Sequence, residues 1–370
     1  MQMAESYKCP GCGAALVYQE GSKELVCPYC GTKVSIDELK QQTEKKKQKE
    51  QSEAKASAAG AQKGADSAQT AAGQTNAQSA AEQEVFHCES CGAELETGAY
   101  TAATMCPFCG SPVVLTSRLS GTGKPVSVLP FQIKKEEAAE KFREWTKSGL
   151  FTPKGFYSKA TLDKIRGRYV PYWLFDMDAS VHMRADATKV RTETDGDYEY
   201  TYTDHYQVLR DADTAFERIP ADASKEMPDD TMERLEPYSY EKLEAFDYPY
   251  LSGYEAECTN FRPEELEPRA RERAKEAAER ATRNTIEGYS SVNVTSCQTN
   301  LRGTKQEYTM LPVWELTYRF RGKDWKLYLN GENGRKIGSL PVDPGRAAVC
   351  FGICSAAIFV LAAIVWGIAL

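Results

Sequence analysis

The sequence predicts an α+β chain: two small cysteine-built modules, an antiparallel-sheet domain with packed helices, and one C-terminal helix. Three observations carry this. Eight of the twelve cysteines form two sets of identical spacing. The middle of the chain alternates apolar and polar residues over long stretches. The last 24 residues contain no charged side chain.

The first set is Cys9, Cys12, Cys27 and Cys30, and the second is Cys88, Cys91, Cys106 and Cys109. Each reads C-x2-C, fourteen residues, C-x2-C. Two intervening residues let both thiolates of a pair reach one ion. The middle segment is long enough for a hairpin that returns the second pair to complete a tetrahedron. Gly13, Gly31, Gly92 and Gly110 follow the second cysteine of each pair, where a tight knuckle needs positive φ. Each set is therefore expected to hold one Zn2+, two per chain, with iron as the alternative metal. Residues 5–36 and 84–117 are predicted as zinc ribbons. Neither has enough apolar residues for its own core, so metal binding must supply folding energy, roughly 10–16 kcal/mol per structural site.

Two other readings of the cysteines are weaker. Cys27-Pro28-Tyr29-Cys30 matches a glutaredoxin-like redox pair, but such a pair opens a helix after a strand, and here a matching pair lies upstream. Disulfides are disfavoured because no signal peptide precedes the cysteines.

Residues 37–83 are expected to be a linker, helical at first and then disordered. Ala54 to Gln83 contains no large apolar residue, so nothing there can form a core. The ribbons are accordingly expected to move independently.

Residues 118–343 are the predicted α+β domain. Ala138, Phe142 and Trp145 fall on one helical face. From Trp173 to Arg184, apolar Trp173, Phe175, Met177, Ala179, Val181 and Met183 alternate with Asp176, Asp178, Ser180, His182 and Arg184, the pattern of a half-buried strand. Asp195-Gly196 offers a hairpin turn. Tyr198, Tyr200, Tyr202, Tyr206 and Val208 are expected to form the apolar stripe of the return strand. Asp211 to Asn260 reads as irregular. A helix is predicted from Pro268 to Ile286, with Ala270, Ala274, Ala277 and Ala281 inward. Strands over 312–320, 325–329 and 336–337 then form a meander. Pro171-Tyr172-Trp173 and Pro312-Val313-Trp314 suggest a weak internal duplication, or only proline used at strand starts.

Residues 347–370 would extend about 36 Å as a helix, enough to cross a hydrocarbon core of about 30 Å. Arg346 marks one end. The expectation is a single-pass tail anchor in the cell membrane, with the N-terminal bulk in the cytoplasm beside Arg346. Cys350 and Cys354 lie in this segment, as small apolar residues or acylation sites.

No catalytic constellation is visible, and the chain is read as not an enzyme. The three histidines are His87, His182 and His205. His87 flanks a ligand cysteine. Asp176, Asp178 and His182 share the wet face of one strand, and His205 beside Asp204 reads the same way. Cys258 and Cys297 are expected to be packed thiols. No phosphate loop, nucleophile elbow or H-E-x-x-H is present. Net charge is −7 with a pI near 5.4. The second ribbon carries Glu84, Glu89, Glu94 and Glu96 and no Lys or Arg, a surface that repels a phosphate backbone. Protein partners are therefore favoured. Nucleic-acid binding at the membrane is the alternative, and a third possibility is an enzyme whose site assembles only in the fold.

Several stretches resemble a family of Gram-positive bacterial membrane proteins catalogued as zinc-ribbon proteins of the transcription-factor-B type. They include Gly167-Arg168-Tyr169-Val170-Pro171-Tyr172-Trp173-Leu174-Phe175, Ile219 to Ser224, Leu235-Glu236-Pro237-Tyr238, Tyr250-Leu251-Ser252-Gly253-Tyr254, Met310-Leu311-Pro312-Val313-Trp314 and Asn330 to Gly334 running on to Gly338-Ser339-Leu340-Pro341. The resemblance covers nearly the whole chain in order. It implies the arrangement ribbon, domain, C-terminal anchor, with the eight cysteines as ligands. It implies no reaction.

Overall fold

The alternation after Pro171 belongs to a strand far longer than the motif that reveals it. In the computed structural model, which describes residues 2–41, 85–153, 156 and 164–369, the chain is mixed α and β with largely antiparallel sheets. Residues 42–83 of the expected linker lie outside the described residues.

The N-terminal strand β1 (Gln2–Ala4) precedes the first ribbon, whose strands are β2 (Val17–Tyr18), β3 (Glu24–Val26) and β4 (Lys33–Ser35). A short helix α1 covers residues 36–41. The second ribbon holds β5 (Phe86–Cys88), β6 (Glu94–Leu95), β7 (Thr101–Met105) and β8 (Pro112–Val114). The body begins with β9 (Ser127–Val128) and helix α2 (Lys135–Ser148). Then come β10 (Arg166–Asp195) and β11 (Tyr198–Asp222), helix α3 (Asp229–Leu235), β12 (Glu244–Ala245) and β13 (Glu255–Glu257). Helix α4 (Pro263–Asn284), β14 (Ser291–Phe320), β15 (Lys323–Asn330), β16 (Lys336–Gly338) and helix α5 (Pro344–Ala369) complete the chain.

β10 is the spine. It pairs antiparallel with β11 on one side, from Tyr172↔Asp222 to Asp195↔Tyr198. On the other side it pairs antiparallel with β14, from Arg166↔Glu315 to Thr188↔Ser291. The two Pro-x-Trp motifs meet across this second ladder, Tyr169 facing Pro312 and Pro171 facing Met310. Both prolines thus lie inside strands rather than at strand starts. On its other side β10 pairs with β13 at Arg168 and Tyr169 and with β11 from Tyr172 onward, so Pro171 falls at the change of partner, where its missing N–H breaks no ladder.

Helix α4 covers the inward face of the ladder. Its buried positions are Leu266, Ala270, Ala274, Ala278 and Thr282. The expected Ala277 and Ala281 are half-buried and exposed instead. Thr282 can close this buried face because its hydroxyl is satisfied inside the helix, donating to the Ala278 carbonyl at 2.8 Å. This helix ends at Asn284, and the apolar stripe ends with it: Ala187 and Val208 are buried. Beyond them Tyr198, Tyr200, Tyr202 and Tyr206 stand exposed, so the expected stripe is buried only at Val208. Arg191 lies over the Tyr202 ring at 5.0 Å and Lys189 over Tyr206 at 5.5 Å. The stretch after Asp211 is not irregular at first, since β11 runs on to Asp222.

Aromatic packing fills the centre of the body. Phe131 stacks on Tyr254 with ring centroids 4.4 Å apart and meets Tyr169 and Trp314 at 5.0 and 4.9 Å. Beside this core, one guanidinium gathers several carboxylates. Arg168 is paired with Glu255 and Glu226 at 3.0 Å, with Glu315 at 3.5 Å and closely with Glu257. Glu257 also accepts from the Ser224 hydroxyl at 2.5 Å. Burial opposes the charge on Arg168, but Glu315, Glu257 and Glu255 outweigh it and hold the group protonated. Removing the cation would leave buried carboxylates uncompensated. We predict that Arg168→Ala destabilises the full chain by about 3–5 kcal/mol in denaturant titration.

Candidate metal centres and their docking

Each ribbon brings its four sulfurs together at the joined tips of two knuckles. In the first, Cys9 Sγ lies 3.5 Å from Cys30 Sγ, and Cys12 Sγ lies 3.4 Å from Cys27 Sγ. In the second, Cys88 to Cys109 and Cys91 to Cys106 are both 3.8 Å. All four ligand atoms of each set fall within 4.8 Å of one another. Zn–S bonds of about 2.3 Å in a tetrahedron place sulfurs about 3.8 Å apart, whereas a disulfide needs about 2.05 Å. The donor geometry fits one zinc per set, and each group can hold a metal ion. The glycines behave as the spacing requires: Gly13, Gly31, Gly92 and Gly110 have φ between 72° and 78°. Each donates its N–H to the carbonyl of the first cysteine of its pair, at 2.7–3.0 Å.

One feature escaped the sequence reading. Two residues after the fourth cysteine of each set stands a hydroxyl, Thr32 and Ser111. The Thr32 hydroxyl lies 3.1 Å from Cys30 Sγ. Its hydrogen bond pulls the Cys30 thiol down to about 6, and Ser111 does the same for Cys109. Both ligands are thereby biased toward the thiolate that binds metal. The repeat Cys-Gly-Thr and Cys-Gly-Ser was the available signal.

The ribbons do not hang free. The expectation of independent movement is overturned by long-range pairing. The second ribbon is continuous with the body's sheet: β7 pairs with β13, which pairs with β10. The first ribbon is tied to the second by β1, which runs parallel to β5, and by reciprocal backbone bonds between Glu5 and Val114 at 2.9–3.0 Å. It is tied to the body by a seam at Ser252. The Tyr18 N–H donates to the Ser252 carbonyl at 2.9 Å, and the Ser252 hydroxyl donates to the Leu16 carbonyl at 2.7 Å. The Tyr18 ring packs 5.2 Å from Tyr250 and 6.3 Å from Tyr254. A residue larger than glycine at 253 would place Cβ 2.3 Å from Val17, and φ there is 94°. Between the two ribbons and the body lies a cleft of about 640 Å³, walled by Val17, Met105, Pro107, Gly167, Tyr254 and Trp314.

The other polar candidates remain apart from these centres. Asp176 serves the backbone: its carboxylate accepts from the Arg218 N–H at 2.8 Å, where Arg218 sits at φ 58° beside a bulge in the β10–β11 ladder. His182 faces Asp211 at 2.8 Å, both exposed. Asp178 and His205 are exposed on strands, and His87 is half-buried beside ligand Cys88. Among the described residues, the cysteine sets are the only groups of metal-ligating side chains brought together. Cys258 is half-buried, its S–H 3.6 Å from the Arg118 carbonyl, and burial pushes its thiol up to about 12. Cys297 packs against the cluster under α4. At the C-terminus, α5 is long and apolar enough to cross a membrane, and Pro344–Ala363 is not buried against the protein.

Cys9→Ser and Cys88→Ser are each expected to lower the zinc content from two ions per chain to one, read by elemental analysis of the full chain. Cys258→Ser should leave it at two.

No family model matches the chain, and no solved structure does. Over 349 residues it is 36% identical to YdjG of Bacillus subtilis (strain 168), a relative described as uncharacterized, and the alignment covers 94% of each protein. Identity at that level over nearly the full length shows common descent: the chain belongs to the YdjG family.

Proposed function

We propose that this is a zinc-binding protein held at the cytoplasmic face of the cell membrane by α5, whose metal-held head binds protein partners. The observation that carries the reading is a matched pair of exposed aromatics. Tyr29 and Phe108 occupy the same place in the two ribbons, directly before the fourth cysteine, and are 84% and 71% exposed. Large rings held in water on rigid knuckles cost solvation unless a partner covers them, and aromatic residues are enriched where proteins meet. Each lies between two metal ligands, so the metal fixes the direction in which it points.

The anchor reading rests on the length and composition of α5 and on its exposure. A 26-residue helix is about 39 Å long, and its apolar surface is costly in water. Arg346 at its base supports a head on the cytoplasmic side. The head is read as a binding module rather than an enzyme because its acidic and histidine residues serve strands and bulges. The acidic second ribbon opposes a nucleic-acid partner.

The test is affinity capture with the full chain from its own membranes. The double variant Tyr29→Ser/Phe108→Ser should lose proteins captured by the unmodified chain while keeping two zinc ions. Removal of residues 344–370 should shift the chain from the membrane fraction to the soluble one. Equal capture by the double variant, or co-purifying nucleic acid in place of protein, would contradict the reading.

A further inference from the structure

The base of α5 is tied to the body by hydrogen bonds and an ion pair. Asp343 caps the helix: its Oδ1 accepts from the N–H groups of Gly345 and Arg346 at 2.9 and 3.3 Å. The Asp343 N–H donates to the Phe151 carbonyl at 2.8 Å. The Arg346 guanidinium donates to the Thr152 carbonyl at 2.7 Å, and Arg321 reaches Asp343 at 3.4 Å. The turn 149–152 and the first turn of the helix are therefore one unit.

That unit is apolar on the side facing the helix. Leu150 is 72% exposed. With Phe151, Val349, Cys350 and Ile353 it lines a cleft of about 620 Å³. A single exposed leucine is ordinary, but this one is continuous with the apolar surface of α5. Ile353 lies nine residues into the helix, about 14 Å along its axis, so the cleft runs past the first turn. Arg346 lines the same cleft, and Arg321, its side chain 59% exposed, reaches Asp343 at the cleft's edge. An apolar cleft with two guanidinium groups at one edge matches a phospholipid, with its acyl chain in the cleft and its anionic headgroup at that edge.

We propose that the 149–152 turn is a lipid-contacting wedge: it enters the membrane beside α5, seats an anionic phospholipid, and so fixes the angle of the body to the bilayer. This rests on the reading that α5 spans a membrane. A span alone would let the body swivel on its connection. A second apolar contact locked to the helix base by Asp343 and Arg346 removes that freedom.

The test uses the full chain reconstituted in vesicles of phosphatidylcholine and phosphatidylglycerol, with a benzophenone amino acid at position 150, 359 or 200. Position 359 lies within α5, and position 200 lies on the exposed outer part of β11. After illumination, lipid adducts are expected at 150 and 359 and not at 200, with phosphatidylglycerol over-represented at 150 relative to 359. Adducts at 359 without adducts at 150 would overturn the wedge and leave the span standing. Equal adducts at 150 and 200 would also overturn it. Absence of adducts at 359 would overturn the span itself, and the wedge with it.

Discussion

Four thiolates converging on one point, twice, is the constraint on which the head of this protein depends. The ribbons are too small to pay for their own order through apolar burial. The buried residues of the first are few, Leu16, Tyr18, Leu25, Val34 and Ile36 among them, and they form one cluster with residues of the body. A structural metal site contributes roughly 10–16 kcal/mol to folding. Without it the sulfurs of Cys9, Cys12, Cys27 and Cys30 would repel or oxidise, and the knuckles would lose the turns that carry Tyr29.

The consequences spread outward from the ligands. Gly13 through Gly110 hold the knuckles, and the hairpins they support place β2 and β7 against the body. At β2 the contact is a pair of hydrogen bonds to Ser252 and the packing of Tyr18 on Tyr250 and Tyr254. At β7 it is a strand of the same sheet. Tyr254 in turn stacks on Phe131 inside the aromatic core. The first cysteine module thus reaches the centre of the body through Tyr18 and Tyr254. The long β10–β14 ladder is expected to hold without metal. It is closed by its own register, by α4 and by Arg168 with its carboxylates.

What could be read from the sequence was what is local. The C-x2-C pairs and their glycines speak to one ion within a few residues, and the structure brings the eight sulfurs into two sets. The alternation from Trp173 to Met183 speaks to one face of one strand, and that strand exists. The uncharged C-terminal run speaks to one helix. What escaped was non-local. Ser252 and Leu16 are 236 positions apart, and nothing in either residue announces the other. The return-strand tyrosines carry the right period, but period alone does not say whether an element covers the face, and α4 stops short of them. Thr282 is polar, yet a helix carbonyl satisfies its hydroxyl and lets it be buried where the alanine pattern points to Ala277 and Ala281. Asp176 reads from sequence as part of a strand's wet face, and only the fold shows that its carboxylate is taken by the N–H of Arg218 at positive φ. Thr32 and Ser111 were legible in principle, since both stand two residues after a ligand, but a hydroxyl near a cysteine carries no signal until the sulfur is known to bind metal.

The most direct test of this account is hydrogen exchange of the full chain with metal bound and after chelation. The account predicts that chelation removes protection from residues 5–36 and 86–115 and, through Tyr18 and Ser252, from the 250–254 turn, while the β10–β14 ladder stays protected. Ribbon protection that survives complete loss of metal would contradict it.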